Sequence, residues 1–122
     1  MSSMDEILRR SLLFDFYGEL LTDHQKEIYE AFNSEDLSLG EIAAQAGISR
    51  QGVHDLIRRA DASLEMYEEK LHLMERFLKV QSQAGEIRDL AGQIASGDGG
   101  SLSGSEMAGR IVELTDEILE EL

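Results

Sequence analysis

Between Leu39 and Arg58 the chain places apolar residues at Ile42, Ala46, Ile48, Val53 and Leu56, with a small residue at Ala43 and a glycine at Gly47. That pattern predicts two short helices meeting at a tight turn, the helix-turn-helix arrangement. A side chain larger than Ala43 would push the two helices apart, and Gly47 can take the positive φ that ends the first of them. The helix starts are also written in the sequence. Ser38 followed by Glu41 is a capping box, and Ser49 is placed to cap the second helix. The core of the unit is therefore expected to be Ile42, Ala43, Gly47, Ile48, Val53 and Leu56.

Upstream, residues 4–18 read as an amphipathic helix. Its apolar positions Ile7, Leu8, Leu12, Leu13, Phe14, Phe16 and Tyr17 nearly encircle it, which predicts a mostly buried element. Gly18 to Leu21 forms a corner, Thr22 caps a second helix buried through Ile28, Tyr29 and Phe32, and Asn33 to Asp36 is a polar connection. Downstream, the second helix of the turn unit has no stop signal after Arg59 and is expected to run on to about Val80. Along it Ile57, Ala60, Leu64, Tyr67, Leu71, Met74 and Leu78 recur in steps of three and four, a heptad seam. Such a seam wants a partner. A homodimer is expected, with Leu64, Tyr67, Leu71, Met74 and Leu78 at the contact; the other solution is helix 4–18 folding back along the seam.

After Ser82 the pattern weakens to a short helix over 86–96 with Ile87, Leu90 and Ile94 on one side. Residues 97–105, rich in Gly and Ser, read as a linker. Ser105 is placed to cap a last helix with Met107, Ile111, Leu114, Ile118 and Leu122 in a stripe, a docking element for its own core, a second copy or another protein. The fold class is all-α: a helix-turn-helix domain over 1–82 with a long helix after the turn, then a C-terminal helical segment over 83–122. The absence of proline fits that class.

Charge changes the picture. The chain carries 25 acidic against 11 basic residues, a formal net charge of −14, where a nucleic-acid footprint is ordinarily a basic patch. The second helix of the turn unit is nonetheless locally positive. Its outward set is Ser49, Arg50, Gln51, His54, Asp55 and Arg58, with Arg59 beside it, and the candidate nucleic-acid contacts are Ser49, Arg50, Gln51, His54, Arg58 and Arg59. There is no cysteine, hence no disulfide, thiolate metal site or cysteine nucleophile. No basic leader or membrane-length apolar run is present, so a cytoplasmic location without membrane insertion is expected.

Catalysis finds no support in these residues. His24, His54 and His72 lack a neighbouring nucleophile, and Glu69 with His72 has the spacing of half a di-iron ligand set without its second copy. The glycines near 97–104 lack the Gly-Lys-Ser/Thr continuation of a phosphate loop. No enzyme activity, cofactor or metal is expected.

Four blocks carry a resemblance: Leu12 to Thr22 (LLFDFYGELLT), Asp36 to Ala43 (DLSLGEIA), Gly47 to Gln51 (GISRQ) and Tyr67 to Leu71 (YEEKL). Together they resemble the YlxM family of small bacterial helix-turn-helix proteins over roughly residues 5–80, and the turn unit is also similar to the promoter-reading region 4 of sigma factors. The resemblance implies a cytoplasmic, all-helical, usually dimeric protein, encoded beside components of the signal recognition particle and assisting or regulating that pathway. An acidic adaptor could dock on a basic particle protein through complementary charge. Gly52 departs from the alanine usual in the family, costing about 1 kcal/mol of helix propensity. Two functional classes follow: a regulator or adaptor contacting the particle's protein or RNA, and, as the alternative, a dimeric DNA-binding transcription regulator.

Overall fold

The computed structural model describes residues 3–97 and 103–122, and the described residues are helical with short connections. The helices are α1 (Ser3–Tyr17), α2 (Asp23–Asn33), α3 (Leu39–Ala46), α4 (Arg50–Leu71), α5 (Leu73–Ser96) and α6 (Gly104–Glu121), with a single 3-10 turn at Gly18–Leu20 between the first two. The chain divides into two compact units, Met1–Met74 and Glu75–Leu122, a boundary eight residues before the Ser82 division that the sequence pattern suggests.

In the first unit α4 is the spine on which α1, α2 and α3 pack. Its buried positions Val53, Ile57, Ala60 and Leu64 recur at helical spacing and meet Leu13 and Tyr17 of α1, Ile28 and Tyr29 of α2, and Ile42 and Ala43 of α3. Phe14 stacks on Tyr29 with ring centroids 5.2 Å apart. Capping boxes start α2 and α3: Thr22 pairs with Gln25, and Ser38 with Glu41. Helix α1 buries Leu13 and Tyr17, with Leu12, Phe14 and Phe16 partly buried against the same core. Ile7 and Leu8, expected inside, are each 58% exposed.

The long helix expected to continue to Val80 breaks instead at His72, whose φ of 56° is left-handed and whose N–H returns to the Glu68 carbonyl at 2.8 Å. Starting a new helix leaves free N–H groups. Two buried side chains take them: Leu73 N–H donates to Tyr17 Oη at 3.0 Å, and Met74 N–H donates to Glu68 Oε1 at 2.9 Å. Tyr17 in turn donates to Glu68 Oε1 at 2.6 Å. The expected dimer seam is therefore not one stripe. Leu64 and Met74 lie in the core of their own chain, and Tyr67 packs against Tyr17 with centroids 6.0 Å apart. Leu71 and Leu78 stay exposed. Over Leu64 and Tyr67, α1 has folded back along the seam.

The second unit is an antiparallel hairpin of α5 and α6, with Leu90, Met107 and Leu114 buried between them and Ile87 and Ile111 packed alongside. The helix expected over 86–96 is the C-terminal part of α5, which runs unbroken from Leu73. The cap of α6 is Ser103, which accepts from Glu106 N–H at 3.1 Å, and Ser105 already lies inside the helix. The expected linker at 97–105 falls partly outside the described residues, and its Gly104 and Ser105 are helical. Leu122, expected in the apolar stripe of α6, is 90% exposed. No helix among the described residues is long and apolar enough to cross a membrane.

Candidate nucleic-acid interface

The turn between α3 and α4 holds the candidate surface in place. Gly47 has φ 70°, the left-handed conformation that closes α3, and its N–H returns to the Ala43 carbonyl at 2.9 Å. Ile42, Ala43 and Val53 are buried, and Ile48 and Leu56 pack against them. Ala46, read as inward-facing, is exposed. It borders an open pocket together with Ile28 of α2 and Ile42. Ser49 accepts from Gly52 N–H at 2.9 Å and so starts α4. The Gly52 position has a local reason: a Cβ there would come within 3.2 Å of Ser49 Oγ, the capping oxygen.

With the N-terminus of α4 fixed, its buried stripe dictates what faces outward. Arg50, Gln51, His54, Arg58 and Arg59 are all exposed, on the side away from the core. Ser49 is exposed too, but its hydroxyl is engaged as the cap. Gln51 Nε2 donates to Asp55 Oδ1 at 3.1 Å, and His54 Nδ1 lies 3.9 Å from the same oxygen. Asp55 therefore holds the side chain best suited to reading a base and puts a negative charge into the middle of the face. The outward set already contained Asp55, and its spacing of four from Gln51 is the signal for that bond.

The basic residues divide into two groups. Arg9 donates through both Nε and Nη2 to Glu65, at 2.9 and 2.7 Å, and Arg10 pairs in the same way with Asp61 at 3.2 Å for each contact. The Arg9 guanidinium holds the Glu65 carboxyl below its usual range. Asp61 also accepts from Tyr29 Oη at 2.6 Å, and Arg10 lies over the Phe32 ring, 5.3 Å from its centroid. Lys26 pairs with Glu19. The guanidinium groups of Arg50, Arg58 and Arg59, by contrast, make no hydrogen bond or ion pair with any described residue. Arg58 and His54 flank a shallow cleft floored by Phe32 and Ile57. The result is an open, positive half-helix on a strongly acidic chain, suited to contacting phosphates or carboxylates.

Residues 4–96 match the family model described as "UPF0122: Putative helix-turn-helix protein, YlxM / p13 like". The chain belongs to this family. Its relatives include a UPF0122 protein of Acetivibrio thermocellus, 44% identical over 119 residues that cover 96% of this chain and 99% of the relative. A UPF0122 protein of Thermoanaerobacter sp. is 49% identical over 84 residues, 69% of this chain and 72% of the relative. The YlxM protein of Bacillus subtilis is 43% identical over 89 residues, 73% of this chain and 81% of the relative. The family model ends at Ser96, the last residue of α5, so α6 lies beyond it, whereas the Acetivibrio relative aligns over nearly the whole chain.

Proposed function

We propose that this protein is a regulator or adaptor of the signal recognition particle pathway that docks on the RNA of the particle through the exposed first half of α4. One observation carries the reading: Arg50, Arg58 and Arg59 project from the helix-turn-helix with their charges uncompensated, while Arg9, Arg10 and Lys26 are each neutralised by an acidic neighbour. The resemblance of the sequence to the YlxM family supplies the pathway. Three arginines give a weak, salt-sensitive grip on a polyanion, which suits an adaptor that joins an assembly better than a lone operator-binding protein.

The second reading is a transcription regulator that works as a dimer, with Arg50 and Gln51 at the end of α4 from which such helices address base edges. Asp55 weakens it, by occupying the Gln51 amide and repelling the DNA backbone.

A titration of the protein against the purified particle, its RNA and its protein separately, over a salt series with excess random duplex DNA, tests the proposal. Binding to the particle and to its RNA is expected to survive the duplex and to fall in the Arg50→Ala, Arg58→Ala variant. Transfer of all signal to duplex would establish the second reading.

A further inference from the structure

The cleft flanked by His54 and Arg58 has a volume of about 250 Å³ and lies where α1, α2, α3 and α4 converge. Its floor carries a fixed, flat surface. Phe32, at the end of the buried stripe of α2, stays half-buried, and the Arg10 guanidinium lies over its ring, 5.3 Å from the centroid. Two bonds from Arg10 to Asp61, at 3.2 Å each, hold the guanidinium there, and Asp61 is itself anchored by Tyr29 Oη at 2.6 Å. The acid that lines the cleft is therefore neutralised within it, and the polar walls that remain, His54 and Arg58, are basic.

The helix surface beside the cleft carries two rows. Arg50, His54 and Arg58 recur in steps of four, so they stand in one line about 12 Å long on α4. Gln51, Asp55 and Arg59 form the next line, on the side away from the cleft, with Gln51 and Asp55 bonded to each other. The basic line is one residue wide. A single phosphate backbone that follows it arrives at the cleft, whereas a backbone shifted by one row meets the Asp55 carboxylate. Duplex bases stay stacked inside their helix and have no use for an aromatic cleft. An unpaired RNA base is free to splay out and stack on an aromatic ring or an arginine plane.

We propose that the cleft takes an unpaired base of an RNA strand against the Arg10 and Phe32 surface, while the phosphates of that strand lie along Arg50, His54 and Arg58. The inference rests on the RNA reading of α4 and adds a substrate class to it, unpaired loops or bulges in place of paired stems. It also gives Arg10 a part in the site. Asp61 neutralises the charge of Arg10 but leaves its plane, and a guanidinium already held in position loses little freedom when a base stacks on it. An acidic peptide would satisfy the basic line but has no flat group for the floor.

Fluorescence anisotropy titrations of the full chain test it, against a labelled oligoadenylate RNA, an abasic strand of the same length and charge, and the oligoadenylate paired with its complement. The unpaired strand is expected to bind about 5- to 150-fold more tightly than the abasic one, the effect of one stacked base. Phe32→Leu is expected to remove that preference and Phe32→Tyr, which keeps the ring, to retain it, both with unchanged helical circular dichroism. Arg50→Ala with Arg58→Ala is expected to weaken the base-bearing and abasic strands alike. Equal affinity for those two strands, a preference that survives Phe32→Leu, or tighter binding of the paired form would overturn the proposal. If the arginine variant still loses affinity in that case, the α4 reading stands without the cleft. Binding of none of the RNAs would overturn both.

Discussion

Tyr17 and Glu68 decide where the long helical run of the sequence is cut. The pair is buried, and between them they receive the first two N–H groups of α5. Tyr17→Phe would leave Leu73 N–H without its acceptor and take from Glu68 the hydroxyl donor, leaving it the Met74 N–H, and is expected to cost about 1–3 kcal/mol in urea unfolding at neutral pH. A loss below a few tenths of a kcal/mol would show that the bonds are dispensable. Burial, and hydrogen bonding to Glu68 and Asp61 respectively, push the Tyr17 and Tyr29 hydroxyls above their ordinary pKa of 10.0. Above pH 10 the unfolded tyrosines ionise while the folded ones keep their protons, so the unfolded state binds fewer protons and stability falls as pH rises. Unfolding followed from about pH 8 to 11 should show that fall, reduced in the Tyr29→Phe variant; a flat profile would contradict it. At Gly47 a methyl group would meet nothing within 4 Å, so the left-handed φ alone sets the expected loss of about 1–2 kcal/mol for Gly47→Ala. Residues of this kind differ in legibility. The Gly47 turn is visible in the sequence, whereas Tyr17 and Glu68 are 51 positions apart and ordinary in their local contexts.

Element boundaries follow the same division. The starts of α2, α3 and α4 are readable because Thr22, Ser38 and Ser49 each bond an N–H within their own turn. Ser38→Ala is expected to cost about 1 kcal/mol, measured by thermal or urea unfolding, through loss of the box with Glu41. The end of α4 is not readable. The heptad pattern passes straight through His72, and no glycine or proline marks the break; it is set by tertiary partners that the periodicity does not contain. The same limit explains the seam, since Leu64 and Met74 show the spacing of an interhelical contact whichever helix fills it. In the candidate site, the exposure of Arg50, Arg58 and Arg59 follows from the buried stripe of α4. The neutralisation of Arg9 and Arg10 does not, because it depends on where α1 lies.

At the scale of the molecule, a chain of net charge −14 spends its cations unevenly. Those of α1 are tied to α4, and those at the start of α4 are left open, so the turn unit presents a small positive surface against an acidic background. Such a surface selects for an anionic partner at short range and repels one elsewhere, which favours a defined docking pose over diffuse binding. The measurement that tests this most directly is the salt dependence of binding to the signal recognition particle RNA, compared between the unaltered chain and the Arg50→Ala, Arg58→Ala, Arg59→Ala variant. Weaker binding is expected for the variant, with a log–log salt slope shallower by about 0.7–0.9 for each phosphate contact removed. Equal affinity and equal slope for the two proteins would contradict it and remove α4 as the contact surface.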